Sequence, residues 1–241
     1  MPTQHNSRTY FELIEAFSQP DCAACRIVDA AVHGYIDMFL YENVNNLARR
    51  HEIRAARGFC TYHGDLMMAG YGRKGSTALL QQDILHDVVG QLDQAAPESH
   101  WPNLFRRRQS AAKAVVAAIA PQIDCPLCTY ERIQTTVVLR TLADDALDPA
   151  MLAAFERSAG LCLPHFRMIL ELEGVAPDKS VRLIEVERRI LGEAMAQLDE
   201  YVRKQITELV STGPSEEGDA PARVTRLTSG RIQHVDGRRE R

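Results

Sequence analysis

All six cysteines of the chain fall in four short motifs, Cys22-x-x-Cys25, Cys60-x-x-His63, Cys125-x-x-Cys128 and Cys162-x-x-His165. Thiolate and imidazole are the donors a tetrahedral zinc ion takes, and two intervening residues let one turn aim both side chains at a point about 2.0–2.3 Å away. Two such pairs complete a shell. Cys22, Cys25, Cys60, His63, Cys125, Cys128, Cys162 and His165 are therefore expected to hold two zinc ions per chain in two Cys3His sites. A closed shell of four protein donors leaves no position for water or substrate, which favours a structural role. The same donors can ligate an iron–sulfur cluster, the alternative cofactor. A thioredoxin-like pair would need a strand before the Cys-x-x-Cys, and no strand pattern is visible.

The motifs repeat. Asp21-Cys22-Ala23-Ala24-Cys25 aligns with Asp124-Cys125-Pro126-Leu127-Cys128, and Gly58-Phe59-Cys60-Thr61-Tyr62-His63 aligns with Gly160-Leu161-Cys162-Leu163-Pro164-His165, at offsets of 103 and 102 residues. Ser76-Thr77-Ala78-Leu79-Leu80 parallels Ser180-Val181-Arg182-Leu183-Ile184 further on. This pattern reads as a tandem duplication of a unit of about 80 residues. Intervals of 34 and 33 residues separate the paired motifs of each copy, enough for a helical hairpin. Each copy is thus expected to close its own site, Cys22 and Cys25 with Cys60 and His63, and Cys125 and Cys128 with Cys162 and His165.

The elements that must place these residues read as helices. Phe11, Ile14 and Phe17 recur on one face of a first helix capped by Asn6 or Ser7 and ending before Pro20. Ile27, Val28, Ala31, Val32, Tyr35, Ile36, Phe39 and Leu40 recur at three- and four-residue steps after Cys25, which places that thiol at a helix N-terminus where the dipole favours thiolate. Helices at 47–57 and 149–159 end at Gly58 and Gly160, whose left-handed conformation turns the chain toward the next cysteine. Pro164 suits a first helical turn. Long amphipathic helices, 76–94 and 180–210, close the copies.

The chain is therefore expected to be all-α, two tandem-duplicated helical modules each organised around a Cys3His metal site. The boundaries are an N-terminal helix at 1–19, a first module at 20–95, a linker at 96–109 marked by Pro97 and Pro102, a second module at 110–211 and a disordered tail at 212–241. At 241 residues the chain can bury a sizeable core without covalent staples. Charged residues at 25 % and hydrophobic residues at 45 % place it among soluble globular proteins. The polar start Met1–Arg8 opens neither a secretory signal nor a membrane span. The cytoplasm is the expected compartment, where thiols stay reduced and paired cysteines point to metal or redox use.

With Asp-Cys-x-x-Cys, Tyr41-Glu42-Asn43-Val44-Asn45, Gly-Phe-Cys-x-x-His, then Cys125-Pro126-Leu127-Cys128 and Gly160-Leu161-Cys162-Leu163-Pro164-His165-Phe166, the sequence resembles a bacterial family catalogued as the domain of unknown function 6062 family. The resemblance covers nearly the whole chain except the tail. It implies metal binding by the eight matched residues and brings no established activity. Ala23 stands where the second copy has Pro126, a departure that removes no ligand.

The preferred function is a zinc-binding helical protein with two structural sites that serves as a partner-binding or regulatory scaffold for a protein partner. An iron–sulfur or thiol-based redox sensor is the alternative, and a nucleic-acid-binding zinc protein the weaker one. A net charge of −4 supplies no global basic field, so nucleic acid would depend on Phe105-Arg106-Arg107-Arg108 after Trp101, read here as a basic first helical turn. Enzyme features are thin, and no residue is assigned a catalytic role. His51-Glu52 lacks the second histidine one turn on, because position 55 is alanine, and reads as a solvated face. Gly70–Thr77 resembles a phosphate loop only superficially, since no strand precedes it and Lys74 comes before the last glycine, and it reads as a loop ending in a Ser76 cap.

Overall fold

The structure is a computed structural model that describes residues 8–70, 72–95, 104–206 and 219–229, and every regular element among these residues is helical. The helices are α1 (Arg8–Ala16), α2 (Ala23–Met38), α3 (Leu47–Ala55), α4 (Thr61–Ala69), α5 (Lys74–Ala95), α6 (Leu104–Ile119), α7 (Pro126–Asp144), α8 (Pro149–Glu156), α9 (Leu163–Leu170), α10 (Pro177–Ile206) and α11 (Ala220–Ser229). A π-helical turn, Phe39–Asn43, prolongs α2.

Two series share an order: a long helix starting at a Cys-x-x-Cys (α2, α7), a short helix (α3, α8), a helix starting at a Cys-x-x-His (α4, α9) and a long closing helix (α5, α10). The short helices begin with side-chain caps. Asn46 accepts from the Ala48 and Arg49 amides, and Asp148 from those of Ala150 and Met151. Such caps satisfy amides that the first turn leaves without partners and contribute about 1 kcal/mol each.

The chain divides into two packed units, and neither follows the expected module boundaries. One comprises described residues 8–31 and 133–229, the other residues 32–132. The chain passes from one unit to the other within α2, at Ala31–Val32, and within α7, at Arg132–Ile133.

In the first unit the core is built from Leu13, Phe17, Val28, Leu139, Leu142, Met151, Phe155, Leu161, Ile169 and Leu183, with the Phe17 and Phe155 rings 5.3 Å apart. Helix α1 buries Tyr10, Leu13 and Ala16; of the expected Phe11–Ile14–Phe17 stripe Phe17, just past the helix, is buried, while Phe11 is 59 % exposed. Tyr10 turns that face inward because its hydroxyl donates to Asp148 Oδ1 at 2.6 Å, tying α1 to the cap of α8. Burial, then this hydrogen bond, pushes the Tyr10 phenol up to about 12. Helix α11 falls inside the stretch expected to be disordered tail: Ala220 and Leu227 are buried, and it packs on α9 and α10. Its spacing of two apolar residues seven apart is enough to seat one helical face. The rest of that tail, 212–218 and 230–241, lies outside the described residues.

The second unit buries Ile36, Phe39, Leu40, Ile53, Leu66, Met67, Leu80, Ile84 and Leu127, while Tyr35 stacks on Tyr130 at 4.3 Å. Arg57 joins α3, α5 and α6: it donates to Asp87, to Gln91 at 2.7 Å and to the Ala118 carbonyl. The last six residues of the expected linker, 104–109, belong to α6; residues 96–103 lie outside the described chain. Helix α5 starts at Lys74, before the expected Ser76 cap.

Candidate metal centres

Each of the four motifs has one geometry. The first cysteine immediately precedes a helix and the second ligand is its third residue, because α2 begins at Ala23, α4 at Thr61, α7 at Pro126 and α9 at Leu163. The amides of Arg26, Gly64, Thr129 and Phe166 bond back to the carbonyls of Cys22, Cys60, Cys125 and Cys162, which closes each first turn. Residues so placed lie on one side of the helix end, where a capping side chain meets the third helical residue. Four amides and the positive end of the helix dipole face the same way, and both favour thiolate.

The motifs meet crosswise. Cys22, Cys25, Cys162 and His165 form one cluster, and Cys60, His63, Cys125 and Cys128 the other, with all ligand atoms of each within 4.8 Å of one another. The expectation that each copy closes its own site is thereby overturned. The reason is helix length. From Ala23 to Asn43 the chain advances about 30 Å at ~1.5 Å per residue, and α3 returns only about 13 Å. In the other series α7 runs about 28 Å and α8 returns about 12 Å. A hairpin with such unequal arms does not return its second motif to the cluster of its first.

The spacings fit one ion. Zinc–sulfur bonds of about 2.3 Å and zinc–nitrogen bonds of about 2.0–2.1 Å make tetrahedral edges of about 3.8 Å for sulfur pairs and about 3.5 Å for sulfur–nitrogen pairs. In the first cluster Cys25 Sγ is 3.7 Å from Cys162 Sγ, and His165 Nδ1 lies 3.5, 3.4 and 3.2 Å from the sulfurs of Cys22, Cys25 and Cys162. In the second Cys128 Sγ is 3.5 Å from Cys60 Sγ, and His63 Nδ1 lies 3.2, 3.7 and 3.4 Å from the sulfurs of Cys60, Cys125 and Cys128. Both imidazoles thus present Nδ1. These donors could hold a single zinc-sized cation; an iron–sulfur core spreads its thiolates over several irons and needs a wider set.

Electrostatics of the bare clusters point the same way. Hydrogen bonds from Cys162 and Cys22 hold Cys25 far below the ordinary thiol range, while hydrogen bonds to Cys162 and Cys25 push Cys22 well up. Burial opposes charge on His165, but hydrogen bonds and negative charge from Cys162 and Cys25 outweigh it and raise it to about 10. In the second cluster burial opposes ionisation of Cys125, yet the His63 hydrogen bond and nearby amides bring it down to about 6; burial and the Cys60 sulfur push Cys128 up to about 12. In each cluster one lowered thiol stands beside a raised one, Cys25 beside Cys22 and Cys125 beside Cys128, the behaviour of like charges in a small space.

The surroundings hold residues that the motif search did not single out for a role. Glu131, one turn beyond Cys128, places Oε2 3.5 Å from Nε2 of the buried His63, close to the imidazole but without a hydrogen bond to that nitrogen. Asp21 pairs with Arg26 at 2.8 Å and Arg226 at 3.6 Å, and Asp124 pairs with Arg132 at 2.8 Å. The signal for these two was the aspartate preceding the cysteine in both copies. Glu187, fully buried, accepts from the Leu161 amide at 3.0 Å beside the glycine turn into Cys162, and burial raises its carboxyl to about 7. Nothing in the local sequence marks it.

The weaker candidates resolve into local structure. Glu52 pairs with Arg49 at 2.8 Å on an exposed face beside His51. Arg73 of the loop-like stretch is buried, donating to Asp37 at 2.8 Å and to the Leu66 carbonyl at 3.0 Å, and a Cβ on Gly70 would collide with it. Trp101 and the side chains of Phe105 to Arg108 lie outside the described residues. Among those described, no helix is long and apolar enough to cross a membrane.

Residues 8–208 match the model of a family described as a Family of unknown function (DUF6062). An uncharacterised 23.9 kDa protein in the xynA 3' region of Caldicellulosiruptor sp. (strain Rt8B.4) is 23 % identical over 179 residues, 74 % of this chain and 79 % of that protein. No solved structure gives a significant match. With the family match spanning most of its length and both Cys3His clusters inside it, the chain belongs to this family of unknown function, DUF6062.

Proposed function

We propose that this is a zinc-binding helical protein with two structural Cys3His sites, acting in the cytoplasm as a partner-binding or regulatory scaffold. The observation that carries the reading is the match between the sulfur–sulfur and sulfur–nitrogen spacings and the edges of a zinc tetrahedron in both clusters. Each ion ties two helix N-termini that belong to distant parts of the chain, so metal binding contributes directly to folding. The common order of elements in the two series supports a tandem duplication. Leu85 and Val89, one turn apart on α5 and more than half exposed, support a protein partner over a small substrate.

Elemental analysis of anaerobically purified protein, with an absorption spectrum of the same sample, tests the reading. Two zinc ions per chain and no visible absorbance are expected, with loss of helicity on chelation. Iron with sulfide and a broad visible band would overturn it.

A further inference from the structure

The two clusters share a donor set but not an environment. Cys22 and Cys162 are 5 % and 0 % exposed and Cys25 is partly exposed, whereas all three cysteines of the second cluster, Cys60, Cys125 and Cys128, are partly exposed. Of the first cluster's cysteines only Cys22 touches the smaller cavity beside it, about 120 Å³ and lined in part by α10 and α11. Cys60 and Cys125 both line an open cleft of about 470 Å³ beside the second, with Arg57, Phe59, Gln122 and Asp124. Arg57 is held by Asp87 and Gln91, while its buried Nε has no hydrogen-bond partner. Ala159 occupies the position aligned with Arg57 in the other motif, and the cations beside the first cluster are Arg223 and Arg226, which line its cavity.

We propose that the second cluster is a thiol-oxidation site at which a hydroperoxide oxidises Cys60 and Cys128 resolves the product, opening this cluster while the first stays closed. The proposal rests on the metal reading above for its consequence, release of the ion, and on accessibility for its chemistry. Cys60 lines the cleft and lies 3.5 Å from Cys128 Sγ. Among cysteines held in one such cluster, access selects the one that meets an oxidant first.

The steps balance. The Cys60 thiolate attacks one peroxide oxygen; a sulfur–oxygen bond forms, the oxygen–oxygen bond breaks, and the other oxygen leaves as hydroxide or alkoxide, which takes a proton from water. The Cys128 thiolate then attacks the sulfenic sulfur, a disulfide forms and hydroxide departs. Two thiolates lose two electrons and the peroxide gains them. A site that has lost two of four donors no longer retains its ion.

The test treats the full-length purified chain with increasing equivalents of hydrogen peroxide, follows metal release with a zinc indicator and maps cysteine oxidation by alkylation and mass spectrometry. One zinc ion per chain should leave at least about tenfold faster than the other, with a Cys60–Cys128 disulfide while Cys22 and Cys162 remain thiols. Equal release rates, earlier oxidation at Cys22 or Cys162, or intact thiols throughout would overturn the proposal. Protein isolated without metal would sink the zinc reading instead, and the order of oxidation in that same sample still decides this one. The C128S variant should accumulate a sulfenic acid trapped by dimedone at Cys60; should it fail to fold, the mapping on the native chain stands alone.

Discussion

The clusters at Cys22/Cys25/Cys162/His165 and Cys60/His63/Cys125/Cys128 present the same donors, the same imidazole nitrogen and closely similar spacings, yet the first buries two of its three sulfurs and the second leaves all three partly exposed, two of them lining a cleft. Ligand identity therefore sets what the sites bind, and the packing around them sets what can reach them. In the first unit α11 packs on α9 and α10, and Arg226 reaches Asp21 next to Cys22. In the second the cleft between the turn at Arg57–Phe59 and the segment Pro121–Asp124 leaves two sulfurs accessible.

The contrast can be broken most forcefully at the ligands. Replacing Cys162 by serine should remove one metal ion and unfold the unit around it, a loss of more than about 5 kcal/mol if the site follows structural zinc precedents, whereas Cys60→Ser should give a smaller loss because its surroundings are already partly solvated. Zinc content together with chemical denaturation checks this. Equal losses would mean that enclosure adds nothing to the first site.

Glu187 sharpens the comparison by pH. Its carboxyl is raised to about 7 by burial, so the folded state holds a proton that the unfolded state releases near its ordinary range. A raised carboxyl pKa means that stability is fully present below the unfolded value and is lost as pH climbs through about 7. Glu187→Gln should therefore leave stability near pH 4.5 little changed and gain on the wild type up to at most about 3 kcal/mol above pH 7. Denaturation curves for both proteins across that window measure the difference, and a constant offset would refute the assignment.

The smallest expected effect lies at the two glycine turns. Gly58 and Gly160 both have positive φ, 98° and 80°, which an L side chain adopts with strain. A Cβ at Gly160 would lie 2.9 Å from Glu187 Oε1, whereas one at Gly58 would only touch Ile84 Cδ1 at 3.4 Å. Gly160→Ala should cost about 2 kcal/mol and Gly58→Ala about 1 kcal/mol, read from thermal melting. The reverse order would show that the Glu187 contact does not constrain the turn.

The clustering cysteines and histidines, the helical class and the helix start beside Cys25 were legible because they depend on contacts within a few residues: paired Cys and His two residues apart, a cysteine before a first turn, a glycine turn ahead of the next cysteine. Hydrophobic periodicity likewise located α2, whose buried Val28, Val32 and Ile36 follow the expected face. It located α1 but chose the wrong face, because the hydrogen bond from Tyr10 to Asp148 spans 138 positions.

Which motif meets which was decided by tertiary structure alone. Spacing of 34 and 33 residues permits either pairing, and the choice falls to the difference between a 21-residue outward run and a 9-residue return. The same holds for Glu187, Arg57 and α11, whose roles arise from neighbours far along the chain. Local chemistry is written in short windows that the backbone reads by itself; partnership and enclosure depend on where rigid helices of unequal length bring those windows, a property of the folded chain as a whole.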